Sequence, residues 1–208
     1  IGTNWFNYAL HNRSIFKPYL ANELIVSLES PAHLRAKDSF NRITGYSNGD
    51  YLAEIPNSEI LDKEHEKYLL PANESYQFFV EGYTNGNYSL KITRASGENS
   101  NIIYFKNISA TNETSDMFEL NETGSIGIKT NDSEKSIIVA LDSLGSSENI
   151  NFTAAKNKSV SIAVSNWNAL NESTKIAEYS NYAPEIVSAY PNSGASFTQG
   201  QSIIIGFY

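Results

Sequence analysis

Residues 76–93 read YQFFVEGYTNGNYSLKIT, and the fold turns on how they are read. Tyr76, Phe78 and Val80 alternate with polar neighbours, and Tyr88, Leu90 and Ile92 alternate in the same way. A period of two places every second side chain on one face of a strand, so these apolar groups share one buried surface. Between the two arms stands Thr84-Asn85-Gly86-Asn87. Asn-Gly is a strong hairpin signal, because both residues tolerate the positive φ of a type I′ turn. The stretch therefore predicts a β-hairpin with both arms paired in one sheet. Phe79 falls outside the alternation and is expected to face a second layer.

Working outward, the same rhythm recurs. Upstream, Leu24, Val26 and Leu28 alternate before a turn at Ser30-Pro31, and a bend at Gly45 precedes a short strand over 51–55. Residues 57–66, NSEILDKEHE, read as a charged loop, and 68–70 as a short strand stopped by Pro71. Downstream, candidate strands cover 102–108, 116–120, 125–130, 136–141, 150–154 and 160–164. Short strands spaced by about 8–12 residues, with polar turns between them, indicate an all-β fold, an antiparallel β-sandwich or jelly-roll-like body. That module is assigned to residues 23–180. Residues 1–22 are a lead-in or the remnant of an upstream domain, since Ile1 is not a start methionine.

Several segments carry a family resemblance. Residues 24–46 (LIVSLESPAHLRAKDSFNRITGY), 53–60 (AEIPNSEI), 64–71 (EHEKYLLP) and 76–92 follow one another in an order that resembles a β-sandwich accessory module of archaeal and other prokaryotic surface proteins. The matching positions are Ser30, Pro31, Leu34, Asp38, Gly45, Tyr46, Glu54, Ile55 and Pro56, then Gly82, Gly86, Tyr88, Leu90 and Ile92. Asn166-Trp167-Asn168-Ala169-Leu170 fits the module's later segment. The resemblance implies a non-catalytic domain placed behind hydrolase, peptidase or von Willebrand-type domains in a longer exported chain. Relatives often carry an acidic, calcium-type run after the Trp motif; residues 171–184 here read NESTKIAEYSNYAP. Residues 181–208 resemble the first strands of an immunoglobulin-like repeat, or else add strands to the main sheets.

Composition narrows the partners. The net charge is −8, and no basic stripe runs along the 208 residues, so a phosphate backbone finds no electrostatic footprint and nucleic acid is not expected. The chain has no cysteine, which excludes disulfides, thiolate metal sites and a thiol nucleophile. No apolar run reaches the roughly 18 residues of a membrane helix, so membrane insertion by this chain is not expected. Asn-x-Ser/Thr occurs at Asn12, Asn73, Asn87, Asn107, Asn112, Asn121, Asn131, Asn151, Asn157 and Asn171. Chance pairing of the asparagines with serine and threonine gives only about four such triplets, so N-glycosylation is expected. An acceptor must be exposed, and the excess points to an extracellular, cell-surface protein.

Catalytic motifs are weak by comparison. His65-Glu66-Lys67-Tyr68-Leu69 begins like a zinc-protease helix but has Leu where the second imidazole belongs. Neither a nucleophile elbow nor a glycine-rich phosphate loop occurs. Glu59, Asp62, Glu64 and Glu66 cluster in one segment, so calcium is conceivable, but Lys63 and Lys67 interleave and a solvated loop is the plainer expectation. Isolated His33 is expected on an exposed strand position. Tyr46, Tyr51 and Tyr83 are candidate ligand contacts, since flat aromatic faces stack on sugar rings. The sequence thus predicts an accessory module without enzymatic activity, serving spacing, adhesion or positioning of a neighbouring domain. Its partners would be those domains or envelope polysaccharide; alternatives are a carbohydrate-binding module or the non-catalytic end of a secreted hydrolase.

Overall fold

A computed structural model describes residues 23–207, apart from 30, 97–98, 133, 144–145, 157, 165–166, 168–175, 181–185 and 191–203. In chain order the strands are β1 (Glu23–Glu29), β2 (Ala32–Asp38), β3 (Ile43–Ser47), β4 (Asp50–Ala53), β5 (Glu59–Asp62), β6 (Lys67–Pro71), β7 (Tyr76–Gly82), β8 (Gly86–Ser96) and β9 (Asn99–Ala110). They continue as β10 (Ser115–Leu120), β11 (Ser125–Thr130), β12 (Glu134–Ser143), β13 (Ser146–Ala155), β14 (Ser159–Val164), β15 (Ile176–Ser180), β16 (Ile186–Tyr190) and β17 (Ile204–Phe207). No helix occurs among the described residues.

Two antiparallel sheets pack as a sandwich, as expected. One has the order β13-β12-β9-β8-β1-β6-β5 and the other β15-β14-β11-β10-β7-β2-β3-β4, while β16 and β17 pair with each other. From β8 onward the chain adds one hairpin to the first sheet, the next to the second, and so on: β8–β9, β10–β11, β12–β13, β14–β15. The inner faces are apolar. Phe105 on β9 and Phe118 on β10 meet across the two sheets with ring centroids 4.9 Å apart. Burying each such ring contributes about 2–3 kcal/mol, and their tilted contact adds about 0.5–1.5 kcal/mol.

The expected hairpin is not there. β7 pairs with β2 and β10 in one sheet, whereas β8 pairs with β1 and β9 in the other. Residues 83–85 form an arch between the sheets, and the two apolar rows, all buried, face one another instead of lying side by side. Sheets stack about 10 Å apart, which three residues at ~3.3–3.6 Å each can span. Neither Asn85 nor Gly86 takes positive φ. Glycine is needed at 86 for close approach: a Cβ there would stand 2.7 Å from Cγ of Pro31. The tight Asn-Gly hairpin lies elsewhere, at Asn48 (φ 53°) and Gly49 (φ 89°), closing the paired Ser47 and Asp50 between β3 and β4.

Two further expectations are corrected. Phe79 does not enter a second layer; it is half-buried on the outer face of its sheet, under the Arg35 guanidinium at 5.0 Å. Residues 57–66 are not all loop, because β5 pairs with β6 at the edge of its sheet. Asp38, in phase with the buried residues of β2, is itself buried. Its carboxylate accepts the amides of Phe40 and Arg42, each at 2.9 Å, and Arg42 Nε at 2.6 Å, closing the β2–β3 turn. Burial pushes its acidity the other way, yet Arg42 and the two amides outweigh it and hold the carboxyl below its ordinary value.

Candidate functional site

Four strands, a turn and the arch converge where the β4 edge of one sheet meets the β5 edge of the other. At the centre is Glu66, the last residue of the turn between β5 and β6, with φ 43° and only 3% exposure. The left-handed backbone turns this side chain inward, out of the acidic run in which it sits. Its Oε1 accepts His33 Nδ1 from β2 and the Tyr51 hydroxyl from β4, both at 2.9 Å. Its Oε2 faces the Tyr68 hydroxyl and the Leu34 amide. Four donors from three strands thus converge on one buried carboxylate. Burial, then the bond and charge of Glu66, push both the Tyr51 and Tyr68 hydroxyls well above the ordinary phenol range, so both remain donors.

The three tyrosines singled out as ligand contacts come together around one imidazole. Tyr46 stacks on His33 with ring centroids 3.7 Å apart and an interplanar angle of 18°. Tyr83, in the arch, lies 4.8 Å from His33 and tilted by 43°, and Tyr51 meets Tyr46 edge-on at 5.3 Å. They form a cluster, not a co-planar row. His33 is accordingly no isolated strand residue: its Nδ1 is tied to Glu66, which leaves Nε2 as the second functional nitrogen of the ring. A pocket of about 220 Å³ opens here, lined by His33, Tyr51, Lys63, Glu64, Glu66 and Tyr83. Tyr83 is 50% exposed at this pocket.

A second, larger groove of about 570 Å³ runs along the outer face of β2, β3 and β7, with Tyr46 in its lining. Arg35 lies in it, bonded to Glu81 at 2.7 Å and resting over Phe79. The two depressions share no lining residue, but Tyr46 of the groove stacks on His33 of the pocket and so links them. Together they offer ring faces, cations and carboxylates to a polyhydroxylated or mixed-charge ligand.

Two carboxylates of the acidic segment are engaged by the protein itself. Asp62 accepts the amides of Glu64 and His65 and the His65 ring nitrogen, shaping its own turn, while Glu66 is consumed inside. No group of three metal-type side chains forms among the described residues. His65 and Glu66 sit in a turn rather than on a helix.

The described sequons divide by setting. Asn73, Asn87, Asn107, Asn112, Asn131 and Asn151 are exposed, and Asn121 is half-buried with its side-chain oxygen capping the β10–β11 turn. Asn131 is exposed yet bridges two turns, its Nδ2 donating to the Glu113 carbonyl at 2.9 Å. Asn12, Asn157 and Asn171 lie outside the described residues, as do residues 1–22 and, apart from Trp167, the 166–170 motif. Trp167 is buried and packs on Gly124, where φ is 95° and a Cβ would collide with it at 2.4 Å. Sequence reasoning missed His33 and Glu66 as partners, since 33 residues separate them.

Fold and site define an all-β, two-sheet antiparallel domain with a carboxylate-anchored histidine–tyrosine cluster at one edge. Compared with protein families, characterised proteins and solved structures, the chain matches none.

Proposed function

We propose that this chain is a non-catalytic accessory module of an extracellular, N-glycosylated cell-surface protein, of the kind its motifs resemble among prokaryotic surface β-sandwiches. The observation that carries this reading is the exposure of six sequon asparagines, Asn73, Asn87, Asn107, Asn112, Asn131 and Asn151. A glycan needs an exposed acceptor, and a strand-rich body can project several without disturbing its core. The module's work is mechanical: a rigid body spaces or positions a neighbouring domain and presents decorated loops. The decisive experiment labels intact source cells with a membrane-impermeant amine reagent and maps glycans on the recovered protein. Surface labelling with occupancy at these asparagines is expected; an unlabelled, unglycosylated protein overturns the proposal.

A second reading, binding of envelope polysaccharide, is favoured by the pocket at His33 and Tyr83 and the groove at Tyr46, linked by the Tyr46–His33 stack. It predicts saturable retention of the recombinant chain on purified envelope polysaccharide. Tyr83→Ala then weakens retention about threefold to tenfold, the worth of one stacked ring. No retention of the unmutated chain removes this reading and leaves the spacer role.

A further inference from the structure

β10 and β12 lie in opposite sheets, and each carries a charge in its inward phase. On β10, Asp116 is buried in step with Phe118 and Leu120; on β12, Lys135 is buried in step with Ile137, Val139 and Leu141. The Lys135 side chain is 1% exposed, and its Nζ stands 2.6 Å from Asp116 Oδ2 and 2.6 Å from Asp132 Oδ2. The Tyr88 hydroxyl donates to the same Asp116 Oδ2 at 2.6 Å, and the Thr114 hydroxyl holds Asp132 at 2.9 Å. Asp116 Oδ1 is buried and has no hydrogen-bond partner among the described residues.

A simple ion pair explains this poorly. Buried ion pairs offset their desolvation only when the remaining lone pairs are satisfied, and an orphaned carboxylate oxygen is costly. The arrangement suits a reaction better than a resting contact. A nitrogen so close to one carboxylate oxygen stands roughly 3–3.5 Å from the carboxyl carbon, an attack distance.

We infer that Lys135 and Asp116 join in an intramolecular amide, a covalent bridge between the two sheets formed by the folded chain itself. Lys135 Nζ gives a proton to the Asp132 carboxylate and adds to Cγ of Asp116, forming the C–N bond. Tyr88 holds Oδ2, which stays as the amide oxygen. Oδ1, the oxygen without a partner, takes protons relayed by Asp132 and leaves as water when its C–O bond breaks. An ammonium and a carboxylate become an amide and one water, with two hydrogens leaving Nζ on the departing oxygen. No oxidant, metal or nucleotide is required. Burial of both reacting side chains, 1% exposed for Lys135 and 2% for Asp116, excludes water and protects the product from hydrolysis. The bridge removes two buried charges and the orphaned oxygen together, and it stands independently of the function proposed above.

The test is the intact mass of the recombinant full chain, measured after denaturation. A deficit of one water is expected, together with a tryptic branched peptide joining 107–129 to 130–156 through Asp116 and Lys135, uncleaved after Lys135. Asp132→Asn retains both reacting groups and should give the full, unbridged mass while keeping the native strand spectrum; Lys135→Met removes the bridge outright. A wild-type chain at full mass overturns the inference, and so does a water deficit without the branched peptide, which would be a local cyclisation.

Discussion

Two Asn-Gly pairs in this chain do opposite things. At Asn48-Gly49 the backbone takes positive φ at both residues and returns at once to pair with the strand it left. At Asn85-Gly86 neither residue takes positive φ, and the chain crosses to the other sheet. The dipeptide permits a hairpin; it does not impose one. What differs is the demand of the flanking strands. β3 and β4 form one end of their sheet and pair with each other. β7 and β8 carry large apolar rows and sit inside their sheets; separated, β7 pairs with β2 and β10, and β8 pairs with the distant β1 and with its own hairpin partner β9. These ladders outweigh one local turn.

The comparison can be broken at its glycines, and the largest effect is expected at the start of the arch. A Cβ on Gly82 would lie 2.0 Å from the backbone oxygen of Thr111, which cannot rotate away. Gly82→Ala should lower unfolding free energy by about 3 kcal/mol in urea titration; a loss within about 0.5 kcal/mol would mean that the arch does not pass there. Gly86→Ala meets the Pro31 ring, a side chain that can shift, so about 1–2 kcal/mol is expected. Pro31→Ala should relieve part of it, with a coupling of about 1 kcal/mol in the double-mutant cycle. Additivity of the two changes would separate Gly86 from Pro31.

The two turns themselves give the sharper contrast. Gly49→Ala has open space but φ 89°, and should cost about 1–2 kcal/mol through backbone strain alone. Asn85→Ala, with no such requirement, should stay within about 0.5 kcal/mol. Equal losses at both would restore the hairpin reading of 76–93. The smallest effect is expected at a turn held by charge. The folded carboxyl of Asp38 is depressed, so its contribution is present above the unfolded value near 4 and is lost as pH falls through the folded value. The stability gap between wild type and Asp38→Asn should therefore shrink from about pH 6 to about pH 3; a gap that widens would reverse the assignment.

The candidate site was readable in part. Tyr46, Tyr51 and Tyr83 stand out as aromatics near turns, and the structure sets Tyr46 and Tyr83 against His33 and Tyr51 edge-on to Tyr46. Glu66 was hidden among exposed carboxylates, and only its left-handed backbone turns it inside. Lys135 and Asp116 were visible in principle, because each continues the apolar phase of its strand where a charge does not belong. Strand phase marks such residues as buried, but it cannot say that two of them meet.

The sequence by itself determined the class of the fold, because alternation is a local property carried by each strand's own side chains. The same alternation sets which side chains of a placed strand face inward, and Lys135 lies in that inward phase although the expected strand began only at 136. Only the tertiary structure decided which sheet each strand joins. That choice depends on partners many residues away, as β7 with β10 and β8 with β1 show, and no local period encodes it. The same non-local choice brings Glu66 to His33 and Lys135 to Asp116, so the chemistry of this domain is a consequence of its topology.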